Sequence, residues 1–537
     1  MTPAGSIAQL RMLCTAPTDT IQRVAALLWT AAQPATVVAG LCAYVVYKVV
    51  YAQYISPVRN IPGPFYARLS ALPSRIRGLL CSTNDEMISM AKQHGPVFLM
   101  EPRKVAVCHP DDCRMILNSY AFVKDTLYSN VDFMEPNIFL TRNVELNKQR
   151  RRQIGPALSM PGLRKMEPTI LAAGPQQLMA QWDKRIGTSG DGRVRICYFY
   201  DLTLMSFDII ASLGFGQQHR SLTTGDQTIA HWVEKTFALM ILQMVLPVVK
   251  MWPLRPLANF VLGKHVDEFF AFAHQAVRQR KLEVAKGLVR TPDILQQFIE
   301  AEDPHNHGIR MTSQQVITET IMMLLSGADT SSTALAWTLH LLLLYPEHYQ
   351  RAVTEVRSAF SRDHTIGFDE AQQHAPFLEA CVLEALRVCP VSTNLPRIVP
   401  RGGVNVQGHH IPEGYSVAIS TAAANYDPST WVDPHRFDPH RFDFVNNPCA
   451  DTNRRNLMTL SAGVRVCPGR HLVTFEMVVT LANILNRYDL SLPDDALYTP
   501  ANVDEHGLPR IMPRTNLVAM VPKYPLRDCN VIVSRRP

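Results

Sequence analysis

No two cysteines stand at CxxC spacing, and the 11 cysteines are scattered through 537 residues. That excludes a disulfide-dense scaffold and leaves a cysteine-based structural zinc site without support. Charge of one sign is also scarce: 53 basic residues against 46 acidic ones leave only +7. So small an excess does not make a nucleic-acid footprint. Repeats of roughly 20–50 residues and low-complexity tracts are missing, which excludes solenoids and collagen-like arrays. Charged residues make up 18% and hydrophobic ones 47%. The chain is therefore not disordered, and it has material for a large core.

One long run has no charge at all. Between Arg23 and Lys48 lie 24 residues, VAALLWTAAQPATVVAGLCAYVVY. As a helix this run covers about 36 Å, enough to cross a hydrocarbon core. Trp29, Tyr44 and Tyr47 fall near its ends, where amphipathic rings favour the interface. A signal-peptide core is shorter and starts earlier. The run reads as a transmembrane anchor over 24–47 after a lead of 1–23. Basic residues next to the span balance; Arg68, Arg75 and Arg77 tip the tally toward a cytosolic C-terminal body. Pro57 and Ile61-Pro62-Gly63-Pro64 predict a stiff, helix-free connector over 48–64. The stretch 237–249 is apolar but short and broken by Pro247. A core helix and a membrane-dipping loop both fit it.

From 65 to 537 no linker divides the chain. Helical patterns dominate from about 145 to 390, and strand-like pieces fall near 97–107 and 404–419. Residues 425–465 are rich in Asp, Pro, Asn and Arg and lack periodicity, the mark of a long functional loop. The expected fold is mainly α with small β-sheets, one large domain after the N-terminal helix.

Three constellations carry chemistry. In Ser461-Ala462-Gly463-Val464-Arg465-Val466-Cys467-Pro468-Gly469-Arg470, two glycines bracket a cysteine ahead of an amphipathic helix. A thiolate there gains from the helix macrodipole, glycines let a flat ligand approach, and Arg465 can meet a carboxylate. A buried cysteine in a turn is the plainer alternative. Glu384 and Arg387 share a helix face at i, i+3 amid apolar neighbours. If buried, the pair needs further partners, and Arg441 is a candidate third member. Thr312 and Gln315 predict a capping box opening a helix to about Leu344. Within it lies Ser326-Gly327-Ala328-Asp329-Thr330-Ser331-Ser332-Thr333, poor helix-interior material. It fits either a packing notch at a helix crossing or a local opening of the helix beside a ligand. In the second reading Asp329 and Thr330 handle protons.

The three constellations in this order resemble the cytochrome P450 family of haem-thiolate monooxygenases. The resemblance runs from the proline-rich hinge to the cysteine loop. It implies haem as cofactor, with Cys467 as its axial thiolate and iron ligand. Gly463, Arg465 and Gly469 fall at the family's cofactor-loop positions, with Leu460 where Phe is usual. Asp329 and Thr330 match the acid–alcohol pair of the central helix. Glu384, Arg387 and Arg441 match the structural triad, with His440 in place of the usual Glu. Arg397 and Arg151 correspond to contacts to the haem propionates, and Asn147 stands where Trp or His is common.

The activity the resemblance implies is insertion of one oxygen atom from O2 into an apolar small molecule. A thiolate trans to oxygen favours O–O cleavage. Electrons would come from a separate NADPH-dependent reductase, because the remaining length holds no flavin module. The anchor and hinge are similar to those of fungal members serving secondary metabolism, which suggests a terpenoid or polyketide intermediate. The expected location is the endoplasmic reticulum membrane, single-pass, with the catalytic body in the cytosol and no nucleic-acid partner. A non-enzymatic haem protein that binds or senses ligands is the alternative.

Overall fold

A computed structural model describes residues 34–79, 83–216, 220–288, 293–306, 308–392, 394–516 and 519–537. Its first element is a helix, Pro34–Val50, continued by a π-helical turn over Tyr51–Ile55. Within it Thr36–Ile55 forms a 20-residue apolar stretch of mean hydropathy 1.4, long enough to cross a membrane. The first ten residues of the expected anchor, 24–33, lie outside the described residues. At the other end the boundary moves: Lys48 does not stop the helix. Its charge sits in the last turn of Pro34–Val50, where a cation is favoured by the macrodipole, and its Nζ lies 5.7 Å from the Tyr44 ring.

The helix-free connector therefore begins at Ser56 rather than at 48. It is fastened to the body. Leu99 N–H donates to the Pro62 carbonyl at 2.7 Å, and Val58 and Ile61 are buried. Gly63 has φ +149, and a Cβ there would lie 2.8 Å from the Leu99 carbonyl oxygen. Only glycine lets the connector approach the strand so closely.

That strand, Val97–Glu101, pairs antiparallel with Lys104–Val107. Lys104–Val107 pairs parallel with Ser416–Ser420, which pairs antiparallel with Asn394–Ile398. The four strands form the largest sheet, and three smaller sheets complete the β content among the described residues. Helices make up most of the remaining regular structure, as the sequence patterns imply.

The central helix spans Ser313–Leu344. Thr312 and Gln315 form the capping box: Gln315 N–H donates to Thr312 Oγ1 at 3.2 Å, and Thr312 N–H to Gln315 Oε1 at 3.0 Å. Every residue from Ser331 to Leu344 is buried. Each enclosed leucine contributes about 1.5–3 kcal/mol, which explains why the helix tolerates its poor middle. A second buried helix, Tyr198–Phe215, packs along it more extensively than any other helix does. Cβ atoms built at Gly327 and Gly214 would meet Ile210 at 3.2 Å and Leu324 at 2.8 Å. The glycines thus mark a helix crossing, as the packing-notch reading holds. The ladder stays closed: Ser313–Leu344 is unbroken, so the expected local opening is not seen.

Residues 237–245 belong to the helix Thr228–Val245, with Phe237, Leu239, Met240 and Met244 buried. The core reading applies there. Beyond Pro247 the character changes: Val248, Met251, Trp252, Leu254, Leu257, Phe260 and Val261 are all exposed. The apolar surface begins where the expected loop was to end.

Candidate active site

The helix Pro376–Val388 fixes the site's foundation. Arg387 and Glu384 are fully buried, joined by two bonds of 2.8 Å. Burial opposes the Arg387 charge, but the Glu384 carboxylate overrides it and holds the guanidinium above its ordinary pKa. Arg387 also donates to the carbonyls of Asn425, Pro434 and Arg436 at 3.0, 2.7 and 2.9 Å. Arg441 Nε reaches Glu384 at 3.3 Å, and Asp438 N–H reaches it at 2.9 Å. The predicted triad is therefore assembled, and its remaining valences tie down the irregular stretch. His440 stands outside it, exposed and bonded to Asp438 at 2.8 Å.

Sequence reasoning missed the next link. Asn425 accepts from Met458 N–H at 3.0 Å and donates to Thr459 Oγ1 at 2.8 Å. Thr459 Oγ1 in turn donates to Leu386 carbonyl at 2.6 Å. The ion-pair helix thus sets the start of the cysteine loop, and Leu460 carbonyl accepts from Cys467 N–H at 2.8 Å. Leu460 holds Cys467 through its backbone, which a change of side chain leaves intact. Gly463 has φ +57, and a Cβ would fall 2.8 Å from the Asn118 Cα. Gly469 caps the helix Arg470–Arg487 that follows.

Burial raises the Cys467 thiol pKa; Gly469 N–H, Arg151 and Arg470 pull it down. A coordinating metal would deprotonate such a thiol outright.

Around this loop gather four buried or half-buried cations. Arg151 donates to Val466 carbonyl at 2.9 Å, and Arg465 donates to Asn147 Oδ1 at 2.9 Å. Asn147, the departure noted in sequence, therefore orients Arg465. Among the described residues the Arg397 side chain reaches only the Pro396 carbonyl, at 2.8 Å. Lys124, which sequence reasoning did not single out, pairs with Arg397 through a backbone β-bridge, and its Nζ donates to the Ile138 and Phe139 carbonyls. These charges repel one another. Burial first, then Arg397, Arg465 and Arg151, hold Lys124 well below its ordinary pKa. Burial and then Arg397 bring Arg465 down to about 10.

None of the four has a carboxylate ion-pair partner among the described residues. Nε of Arg151, Arg397 and Arg465 is buried without a hydrogen bond. Such a cluster is costly unless an anion joins it. A flat tetrapyrrole with two carboxylates supplies what is lacking, with a thiol close by to ligate its metal.

Asp329 and Thr330 lie on the central helix, which packs against Arg470–Arg487. Thr330 Oγ1 donates to Ser326 carbonyl at 2.6 Å. Burial, then the charge of Glu234, raises the Asp329 pKa, so it keeps its proton to higher pH than an exposed acid.

Comparison with known proteins agrees with this arrangement. The cytochrome P450 family model matches residues 79–509. Cytochrome P450 monooxygenase helB1 of Aspergillus fumigatus is 37% identical over 500 residues, covering 91% of this chain and 84% of that protein. Cytochrome P450 monooxygenase helB3 of the same fungus is 35% identical, covering 91% and 96%. Among more distant relatives is versicolorin B desaturase stcL of Emericella nidulans, 26% identical, covering 85% and 92%. The crystal structure of the cytochrome P450DA heme domain superposes with a TM-score of 0.71 at 19% identity, covering 84% of this chain and 93% of that one.

Proposed function

The chain belongs to the cytochrome P450 family, and on that footing we propose that Cys467 is the axial thiolate of its haem and that the enzyme oxygenates an apolar small molecule. It is a haem-thiolate monooxygenase. The observation that carries the site assignment is the buried cluster of Lys124, Arg151, Arg397 and Arg465 beside Cys467, with no carboxylate ion-paired to it among the described residues. In this reading Arg151, Arg397 and Arg465 hold the propionates. Gly463 and Gly469 shape the thiolate loop.

Bound there, haem supplies the activation of O2, and the thiolate's electron donation favours O–O cleavage. The chain's own residues hold and pass protons. Thr330 Oγ1, which donates to the Ser326 carbonyl in this structure, would pass a proton on once released from that bond. The Asp329 carboxyl, whose pKa burial and then Glu234 raise, replenishes it. Exposed Arg454 and Arg455, with half-buried Arg470, put positive charge beside the cysteine loop. That face suits an acidic donor such as an NADPH-dependent reductase.

The anchor helix holds the body at an endoplasmic reticulum membrane, facing the cytosol. The exposed apolar group from Val248 to Val261, with Trp252 84% and Phe260 86% exposed, rests against the same bilayer. An apolar substrate would arrive from the lipid. Fungal relatives with biosynthetic names, such as versicolorin B desaturase, support a secondary-metabolite intermediate of terpenoid or polyketide type.

The test is reconstitution in vesicles with a reductase, NADPH and isotopically labelled O2. Product carrying one labelled oxygen is expected; oxygenated product free of the label, its oxygen drawn from water, overturns the reading. Thr330→Ala should keep NADPH consumption but divert most of it from product. Full coupling in that variant removes Thr330 from the proton path.

A further inference from the structure

We propose that His348, Asp438 and His440 form a divalent transition-metal site, suited to Zn2+, on the flank of the Glu384–Arg387–Arg441 network. The three come from two places: His348 from the helix Pro346–Ala359, Asp438 and His440 from the turn around Pro439–Phe442. One ligand atom from each lies within 4.8 Å of the other two. Two imidazoles and a carboxylate are a regular donor set for zinc, leaving a fourth position for water. Tetrahedral coordination at zinc–ligand distances needs donor separations of about 3.3 Å, so the trio must close by roughly 1.5 Å. His440 can supply that movement, because its side chain is 54% exposed.

A second observation points independently to a ligand. His348 is 5% exposed, and its Nε2 is buried without a hydrogen-bond partner among the described residues. A buried unpaired imidazole nitrogen carries a desolvation cost that native proteins seldom leave uncompensated. The rings of Phe377 and Phe437, centred 6.2 and 5.7 Å from His348, offer it no partner.

The site would act as a staple. Asp438 N–H and Arg441 both hold Glu384, so metal bound at 438 and 440 fixes the turn that carries them to the helix bearing His348. His440, which replaces the family's usual Glu, supplies the second imidazole. The effect falls on stability rather than on oxygen chemistry.

The experiment uses the full-length holoenzyme, stripped of loose metal, titrated with ZnCl2 against a chromophoric chelator. Wild type is compared with His348→Phe and His440→Ala. The expected result is one more Zn2+ bound by wild type than by either variant. A rise in the wild-type melting temperature by about 2–5 °C at a hundredfold excess over Kd should accompany it, and be absent from both variants. Equal zinc stoichiometry in all three proteins overturns the site. Loss in one variant alone overturns the two-histidine assignment. If His348→Phe fails to incorporate haem, His440→Ala, an exposed substitution, decides the question by itself.

Discussion

Replacing Arg465 by Met distinguishes a cluster built for an external anion from an ordinary structural ion network. Arg465 is 7% exposed, and burial followed by repulsion from Arg397 lowers its guanidinium to about 10. At about 1.36 kcal/mol per pH unit, roughly 3 kcal/mol works against the charged side chain in haem-free protein. Opposing this are the 2.9 Å bond to Asn147 and the Tyr120 ring, 4.9 Å from the guanidinium. Together they contribute about 2–4 kcal/mol. The terms nearly cancel, so haem-free Arg465→Met should match wild type in urea unfolding to within about 1 kcal/mol. Haem binding should move differently. Losing one charge-assisted bond to a propionate costs about 1.5–3 kcal/mol, a weakening of about 10- to 100-fold. The assays are urea unfolding of haem-free protein and the rate of haem transfer to an acceptor apoprotein. A variant that unfolds much more easily without haem, yet retains haem as tightly as wild type, would make Arg465 part of an ordinary structural network.

Two further variants probe the framework. Glu384→Gln leaves Arg387 charged and fully buried without its carboxylate; about 3–5 kcal/mol of stability should be lost, read as a lowered unfolding midpoint and poor haem incorporation. Glu476, fully buried on Arg470–Arg487, is pushed up by burial to about 7, against the weaker pull of Ser206 and Ser331. Between 4.5 and 7 the native state then binds more protons than the unfolded one, so stability falls as pH rises through that window. Glu476→Gln should lack this slope, and by pH 8 wild type should have lost about 3 kcal/mol relative to it. Parallel pH profiles of urea unfolding for the two proteins would count against a neutral buried acid.

The sequence exposed the parts of the site whose residues are close in number. Glu384 and Arg387 share a helix face, and the cysteine loop is contiguous, so local periodicity and spacing reveal them. Lys124 and Asn425 escaped because their roles arise from long-range hydrogen bonds to backbone groups, which leave no local pattern. The capping box and the ends of the central helix were legible for the opposite reason. The middle of that helix misled in part: glycine and hydroxyls suggested an opened ladder. Ser326 and Thr330 instead return their hydroxyls to carbonyls one turn back. Charge alone misplaced the end of the anchor, because Lys48 is tolerated in the helix's last turn. The metal trio was invisible to a search by cysteine spacing, since His348 lies 90 residues before Asp438 and meets the Asp438–His440 turn only through packing.

The ferrous–CO difference spectrum of wild type and Cys467→Ala reads the ligation by Cys467 itself. Wild type should give the red-shifted Soret band of a thiolate-ligated haem, and Cys467→Ala should lose it. The same band in both proteins would contradict the assignment of Cys467, the thiol that Leu460, Gly469 and Arg151 surround.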